Sequence, residues 1–343
     1  MHTNFSLHKS AYALGKHLFR LMILEGEQLL SRNPAVNVKG SLLGKYIERL
    51  EPKDRKAFQA VIRNAENPER RCKILGCLAE YDPGKGLALE DTLKHAPEAE
   101  EALLDLVYLD PCKFPIPEIS AEPQVNFDRL TLRLESLYVQ DSQDAIRIKV
   151  PFLGTKTYND EDEATLLVIG VDNSGNVTSR SHDLGKIKQG KRVNYHNREL
   201  VSFILDAGEL VFPKTQMVTV TAIEKDKNST YEKLIEDLTE YAVKKIDAEL
   251  IASGIAGLGG LVGIPVPPQV AAILGSALEG FVDGIVENIM GLFENDNDVM
   301  GSKTMSLTLR DLVDEDQVWP KAWNWRFSGK GGQWVTRMNW HLD

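Results

Sequence analysis

The stretch RLTLRLESLYV, residues 129–139, decides the fold because leucines occupy every second position in its first half. Alternation of apolar and polar residues is typical of a β-strand with one buried face. The same alternation continues in AIRIKVPF, residues 145–152, whereas residues 10–110 have helical spacing. The chain is therefore predicted to change from helices to antiparallel strands near residue 125.

The N-terminal third is predicted to be a helical bundle spanning residues 1–110. Apolar residues recur there every three or four positions, as in Leu14, Leu18 and Leu21, and Asn, Asp and Pro mark the helix boundaries. The following stretch, LDPCKFPIPEISAEPQ (109–124), contains four prolines, each of which fixes φ and removes a backbone donor. We place an extended linker at 111–124 and a second domain at 125–343.

The second domain is predicted to be an antiparallel β-sandwich, because each half-buried strand needs a second sheet to cover its apolar face. Seven or eight strands are expected, with a hairpin turn between Asp172 and Asn176 and a last strand in GQWVTRMNWHL. In that last strand Trp334 and Trp340 fall on one face and are predicted to be core residues.

Residues 228–298 interrupt the strand pattern with a predicted helical hairpin. Ser229 and Glu232 fit a capping box, and the second helix is expected to begin near Pro268. A run of 29 uncharged residues, Leu250–Leu278, spans the break between the two helices and the start of the second helix, and it contains six glycines. The predicted fold class is α+β: an N-terminal helical bundle followed by a β-sandwich with an inserted helical hairpin.

This order of elements resembles bacterial C2-like β-sandwich modules that carry an inserted Gly-rich helical hairpin. The resemblance covers residues 125–343. It is carried by the strand LTLRLESLYVQDSQD, the Gly-rich insertion, the acidic linker ENDNDVMGSKTMSLT and the final FSGKGGQWVTRMNWHL. It implies a sandwich fold and no particular activity.

Composition and motifs exclude several classes of function. The formal net charge is -10 and the chain has no basic run, so a nucleic-acid partner is not expected. Nucleophile-elbow, phosphate-loop and HExxH motifs are missing, and the chain is predicted not to be an enzyme. The N-terminus has no classical signal peptide, and we expect a soluble protein that stays cytoplasmic until a dedicated system exports or releases it.

The inserted hairpin predicts a membrane-active protein, because glycine weakens a helix by about 1 kcal/mol relative to alanine and six in 29 residues suit a segment that changes partners. The expected partners are a lipid membrane and, on insertion, further copies of the chain. The residues assigned to membrane insertion are Ile251, Ile255, Leu258, Leu261, Val270, Leu274, Phe281, Ile285 and Leu292. The residues assigned to the hinge are Gly257, Gly259, Gly260, Gly263 and Pro265.

Glu279, Asp283 and Glu287 follow at i, i+4 and i+8 and form an acidic stripe on the second helix. In the membrane hypothesis the stripe faces the lumen of a pore or is protonated at low pH. In the competing interpretation the hairpin stays folded, with its apolar face in a core and its acidic face in water.

Two further predictions concern the rest of the second domain. A non-enzymatic adaptor could bind a protein or a glycan through a Trp-rich C-terminal end, at Trp319, Trp323 and Trp325. Acidic clusters make calcium the one possible cofactor, with Asp160, Asp162, Asp296 and Asp298 as candidate ligands.

Overall fold

The computed structural model describes sixteen segments of the chain. They are residues 4–31, 42–50, 52–65, 67–82, 87–108, 127–142, 146–150, 154–158, 161–172, 176–205, 214–225, 236–245, 268–292, 298–309, 322–329 and 332–343. The predicted linker 111–124 and the capping box at Ser229 and Glu232 lie outside the described residues.

Helices occupy the described part of the N-terminal third. They are α1 (Asn4–Ser31), α2 (Leu42–Arg49), α3 (Pro52–Ala65), α4 (Pro68–Leu75), α5 (Leu89–Leu93) and α6 (Pro97–Tyr108), with a 3-10 turn at Gly76–Leu78. Local sequence explains the start of α4, where the Asn67 side chain accepts hydrogen bonds from the amides of Glu69 and Arg70. Pro68 follows at the first helical position, where a missing N–H costs nothing.

Ten strands and two more helices follow among the described residues. The strands are β1 (Arg129–Asp141), β2 (Ile146–Val150), β3 (Gly154–Tyr158), β4 (Glu161–Val171), β5 (Val177–Lys188), β6 (Arg192–Ile204), β7 (Lys214–Glu224), β8 (Asp298–Leu309), β9 (Trp323–Gly329) and β10 (Gly332–Leu342). The helices α7 (236–245) and α8 (Pro268–Leu292) lie between β7 and β8 in the chain.

Every strand pair in the described segments is antiparallel, and the described strands form two four-stranded sheets and one two-stranded sheet. Sheet A has the order β6-β1-β10-β9, sheet B has the order β5-β4-β7-β8, and β2 pairs with β3. The hairpin predicted across Asp172 and Asn176 joins β4 to β5, with the Asp172 amide donating to the Asn176 carbonyl at 3.0 Å. Helices combined with antiparallel sheets confirm the α+β class.

Two apolar clusters organise the described residues. The first contains side chains from both four-stranded sheets, including Trp334 and Trp340, which are 0% and 3% exposed as the alternation predicted. The second cluster joins helices of the N-terminal third, α7 and α8 to the opposite face of sheet B. Strand β4 contributes side chains to both clusters, because Leu166 and Val168 face the first cluster while Leu167 and Ile169 face the second.

Candidate functional site: the contacts of α8 with α1 and β8

Helix α8 lies along α1 on one side and across β7 and β8 on another. Two residues assigned to membrane insertion, Phe281 and Ile285, are 2% and 0% exposed in the second cluster. The other assigned residues either lie in α8 without a described side chain or lie outside the described residues. The α8 residues without a described side chain are Val270, Leu274 and Leu292. The residues outside the described segments are Ile251, Ile255, Leu258 and Leu261, together with the hinge residues Gly257, Gly259, Gly260, Gly263 and Pro265.

Three glycines allow the backbones of α1 and α8 to touch. A β-carbon added at Gly280 would lie 2.2 Å from the His8 carbonyl oxygen, and one at Gly284 would lie 2.3 Å from that of Tyr12. From the other helix, a β-carbon at Gly15 would lie 2.2 Å from the Phe281 oxygen. Any larger residue at these positions would have to push the helices apart.

Each carboxylate of the acidic stripe has a partner, and for two of the three carboxylates that partner is on α1. Asp283 lies 3.4 Å from Nε2 of His8, and Glu287 accepts a 2.8 Å hydrogen bond from the Tyr12 hydroxyl. Glu279 instead faces the sheet. The stripe therefore runs between helices and sheet, with Glu287 at its exposed end.

The contacts between the stripe and α1 shift the titration of the α1 residues. The hydrogen bond from His8 to Asp283 raises the pKa of the imidazole above its ordinary value, against the opposing effect of burial. Burial and the hydrogen bond to Glu287 raise the pKa of Tyr12 to about 12. At neutral pH the Tyr12 hydroxyl is therefore a donor to the carboxylate.

Glu279 binds the edge strand of sheet B. One oxygen accepts from Nζ of Lys303 at 3.0 Å, and the other accepts from the Thr304 amide at 3.0 Å. Among the described residues β8 is the last strand of sheet B, and on its outer side the Glu279 carboxylate accepts from the Thr304 amide as a neighbouring strand would.

Beneath α8, the helix-facing side of β7 and β8 carries hydroxyl groups, which we call the hydroxyl ladder (Thr219, Thr221, Ser302 and Thr304). Hydrogen bonds join Oγ1 of Thr219 to Oγ1 of Thr304 at 2.8 Å and Oγ1 of Thr221 to Oγ of Ser302 at 2.6 Å. These bonds satisfy the hydroxyls within the sheet.

Helix α7 is tied to α1 and α2 by charged and phenolic side chains. Glu25 of α1 accepts from the Tyr241 hydroxyl and from Nζ of Lys245, both on α7. The Tyr46 hydroxyl of α2 donates to Glu240 at 2.8 Å. The inserted helices thus share polar contacts, as well as an apolar cluster, with the N-terminal helices.

The tryptophans assigned to partner binding lie in different surroundings. Trp325 is 9% exposed, packs edge to face against Phe327, and belongs to the cluster between the sheets. Trp323 is half-buried at the start of β9, and Trp319 lies outside the described residues. Of Trp323 and Trp325, Trp323 has the more exposed indole.

Of the calcium candidates, the structure describes the side chain of Asp162 alone. Asp162 is 0% exposed; one of its oxygens accepts from Oγ of Ser142 and the other accepts from Nε1 of Trp334 at 2.7 Å. Asp160 and Asp296 lie outside the described residues, and Asp298 begins β8 without a described side chain. In the described segments no three His, Cys, Asp or Glu side chains form a group suited to a metal ion.

No helix in the described part of the chain is both long enough and apolar enough to cross a bilayer. In α8 this agrees with the three carboxylates of the acidic stripe, which fall within one 25-residue helix.

The sequence indicated the acidic stripe but not its partners. His8, Tyr12 and Gly15 belong to an ordinary amphipathic pattern near the N-terminus, and nothing local links them to α8 more than 260 residues later. The chain matches no protein-family model, and no curated protein or solved structure matches it.

Proposed function

We propose that the protein is a membrane-active, pore-forming-like bacterial toxin or effector whose inserted hairpin, residues 228–298, is released to enter a lipid bilayer. In this proposal residues 1–110 form a helical bundle that stores the hairpin, and residues 125–343 form a C2-like β-sandwich. The observation that carries the proposal is the asymmetry of α8, which meets another helix at its glycines and binds the edge strand of the sheet through the Glu279 carboxylate.

The glycine contact supports a role in lipid. Between helices in a bilayer there is no hydrophobic driving force, and small residues that let backbones approach closely are the usual basis of association. Gly280 and Gly284 already provide such an approach to α1. A helix packed in this way keeps its contact surface when the surrounding solvent changes from water to lipid.

The acidic stripe sets the geometry of insertion. A charged side chain at the bilayer centre costs about 2.5–3.5 kcal/mol even on insertion-based scales, so three carboxylates on α8 must stay paired or hydrated. We propose that several copies assemble with Glu279, Asp283 and Glu287 facing a water-filled lumen. His8 and Tyr12 supply partners for two of them if α1 remains attached.

Dye release from liposomes tests the proposal. Purified protein should release an encapsulated dye from neutral or anionic vesicles at pH 7.5 or pH 5, and Trp323→Ala should release it equally well. No release at either pH over a range of lipids overturns the proposal.

The alternative function is a non-enzymatic adaptor that recognises a protein or a glycan through its Trp-rich C-terminal end. The half-buried Trp323 supports it, because partly exposed indoles are common in binding surfaces. A glycan array separates the two functions: binding that is lost in Trp323→Ala, without dye release, favours the adaptor.

A further inference from the structure

Helix α8 contacts α1 on one side and strands β7 and β8 on the other, and these two contacts differ in how readily they separate. On the α1 side the backbones touch at Gly15, Gly280 and Gly284, and apolar side chains of both helices are buried in one cluster. Separating the two helices would expose this apolar surface to water and break the backbone contacts, so the α1 side is expensive to open.

On the sheet side, the helix-facing residues of β7 and β8 are mostly hydroxyl-bearing, although buried side chains of α8 and the partly buried Val299 of β8 belong to the same apolar cluster. The hydroxyl ladder is bonded within the sheet, so its hydrogen bonds persist when α8 leaves. The Glu279 carboxylate, Lys303 and the Thr304 amide can each exchange their partner for water. Met217 and Ile223 at the two ends of β7 supply the apolar contact that remains on this strand.

We infer that α8 separates from β7 and β8 first, with α1 still attached to it and Glu279 acting as the tether that closes this contact. The separation exposes the hydroxyl ladder, which water can hydrate, together with the apolar side chains of Met217, Ile223 and Val299. Because α1 carries His8 and Tyr12, the unit that leaves the sheet brings partners for Asp283 and Glu287 with it.

This inference deepens the proposed function and rests on it for the consequence in membranes. The order of opening itself needs no lipid to be measured. The inference can therefore be wrong while the proposed membrane function is right, and the proposed function can be wrong while the inference is right.

Thiol labelling in water measures the order of opening. In full-length protein with Cys72, Cys77 and Cys112 replaced by Ser, one variant carries Ser302→Cys beneath α8 and another carries Ala11→Cys on α1. The native side chains at these positions are 2% and 1% exposed, and each substitution is small. Urea unfolding of both variants establishes that they fold with similar stability.

In dilute urea we expect Ser302→Cys to react at least tenfold faster than Ala11→Cys, after correction for the intrinsic reactivity of each thiol. Adding Glu279→Gln should accelerate labelling at residue 302 further and leave residue 11 unchanged. Equal rates at both positions, or faster labelling at residue 11, overturn the inference.

A crosslink separates this inference from the proposed function. In the same cysteine-free background, Tyr12→Cys and Glu287→Cys are bridged by a bis-maleimide that fixes α1 to α8. If wild type releases dye and the bridged protein releases none, the membrane function stands and the joint movement of α1 and α8 is contradicted. Release by both supports the joint movement.

Discussion

Gly15 of α1 lies directly against the backbone of Phe281 in α8. A β-carbon at Gly15 would lie 2.2 Å from the Phe281 carbonyl oxygen and 3.3 Å from the Ile285 amide nitrogen. Both atoms belong to the helix backbone, which cannot move aside as a side chain can. This contact determines how closely the two helices pack.

Gly15→Ala is predicted to destabilise the protein, although alanine favours a helix by about 1 kcal/mol over glycine. Overpacking a tight contact costs about 1–3 kcal/mol, and here a backbone must move. We expect a net loss of about 2 kcal/mol in the free energy of unfolding, measured by urea denaturation.

Gly26→Ala is the matched control in the same helix. Its β-carbon would meet Cδ1 of Ile62 at 2.6 Å, the end of a side chain that can change rotamer. Its stability should stay within about 1 kcal/mol of wild type. A Gly15→Ala protein as stable as Gly26→Ala would mean that α1 and α8 do not pack as described.

His17 is predicted to make the protein less stable in acid. Its side chain is 1% exposed on α1, with Nε2 3.1 Å from Oγ1 of Thr92, and burial lowers its pKa to about 4. The nearby charges of Arg20 and His95 lower the pKa in the same direction. The unfolded chain therefore binds a proton below about pH 6.5 that the folded protein takes up only near pH 4.

The stability that neutral His17 contributes is full above pH 6.5 and is lost as the pH falls towards 4. The loss is about 3 kcal/mol, because each pKa unit corresponds to about 1.4 kcal/mol. Unfolding curves at pH 7 and pH 4.5 should show a weaker pH dependence in His17→Gln than in wild type.

His8→Gln should change the pH dependence in the opposite direction. Because hydrogen bonding to Asp283 raises the pKa of His8, its contribution is full below pH 6.5 and is lost as the pH rises through the folded pKa. The effect is small, since His8 is 33% exposed.

For the His17 prediction, a free energy of unfolding that depends on pH in His17→Gln as strongly as in wild type would show that the His17 ring is hydrated.

Asp162 is predicted to be a structural residue between the sheets. Asp162→Ala leaves Nε1 of Trp334 and Oγ of Ser142 without this acceptor, at a cost of about 3 kcal/mol in unfolding free energy. Glu161→Ala, one residue earlier on the exposed face, should stay within about 0.5 kcal/mol of wild type.

Calcium is not expected to bind through Asp162, because both Asp162 oxygens already accept hydrogen bonds, so it should not raise the melting temperature of wild type more than that of Asp162→Ala. A rise in Tm with calcium that Asp162→Ala abolishes would establish a calcium site instead.

Local pattern predicted several elements of the fold, although seven or eight strands were expected and ten are described. Alternation in residues 129–139 predicted β1, and the last strand was expected in the same eleven residues that form β10. Trp334 and Trp340 were placed in the core because apolar positions two apart share a face of a strand.

Pairing between distant segments could not be predicted, because a single sequence carries no information on which faces meet. Asp162 lies in the acidic run EDE at the start of β4, which is typical of a solvated turn, and its burial depends on the indole of Trp334. The partners of the acidic stripe at His8, Tyr12 and Lys303 were missed for the same reason.

Membrane activity through release of α8 is tested most directly by a reversible crosslink between α8 and β8. In the cysteine-free background, Glu279→Cys and Lys303→Cys are joined by a bis-maleimide with a cleavable disulfide in its spacer. The native side chains are 3.0 Å apart, so the bridge fits the folded protein. Dye release from liposomes is recorded before and after reduction. The proposal predicts no release while the bridge is intact and wild-type release once it is cleaved, whereas equal release in both states, or none in either, would contradict it.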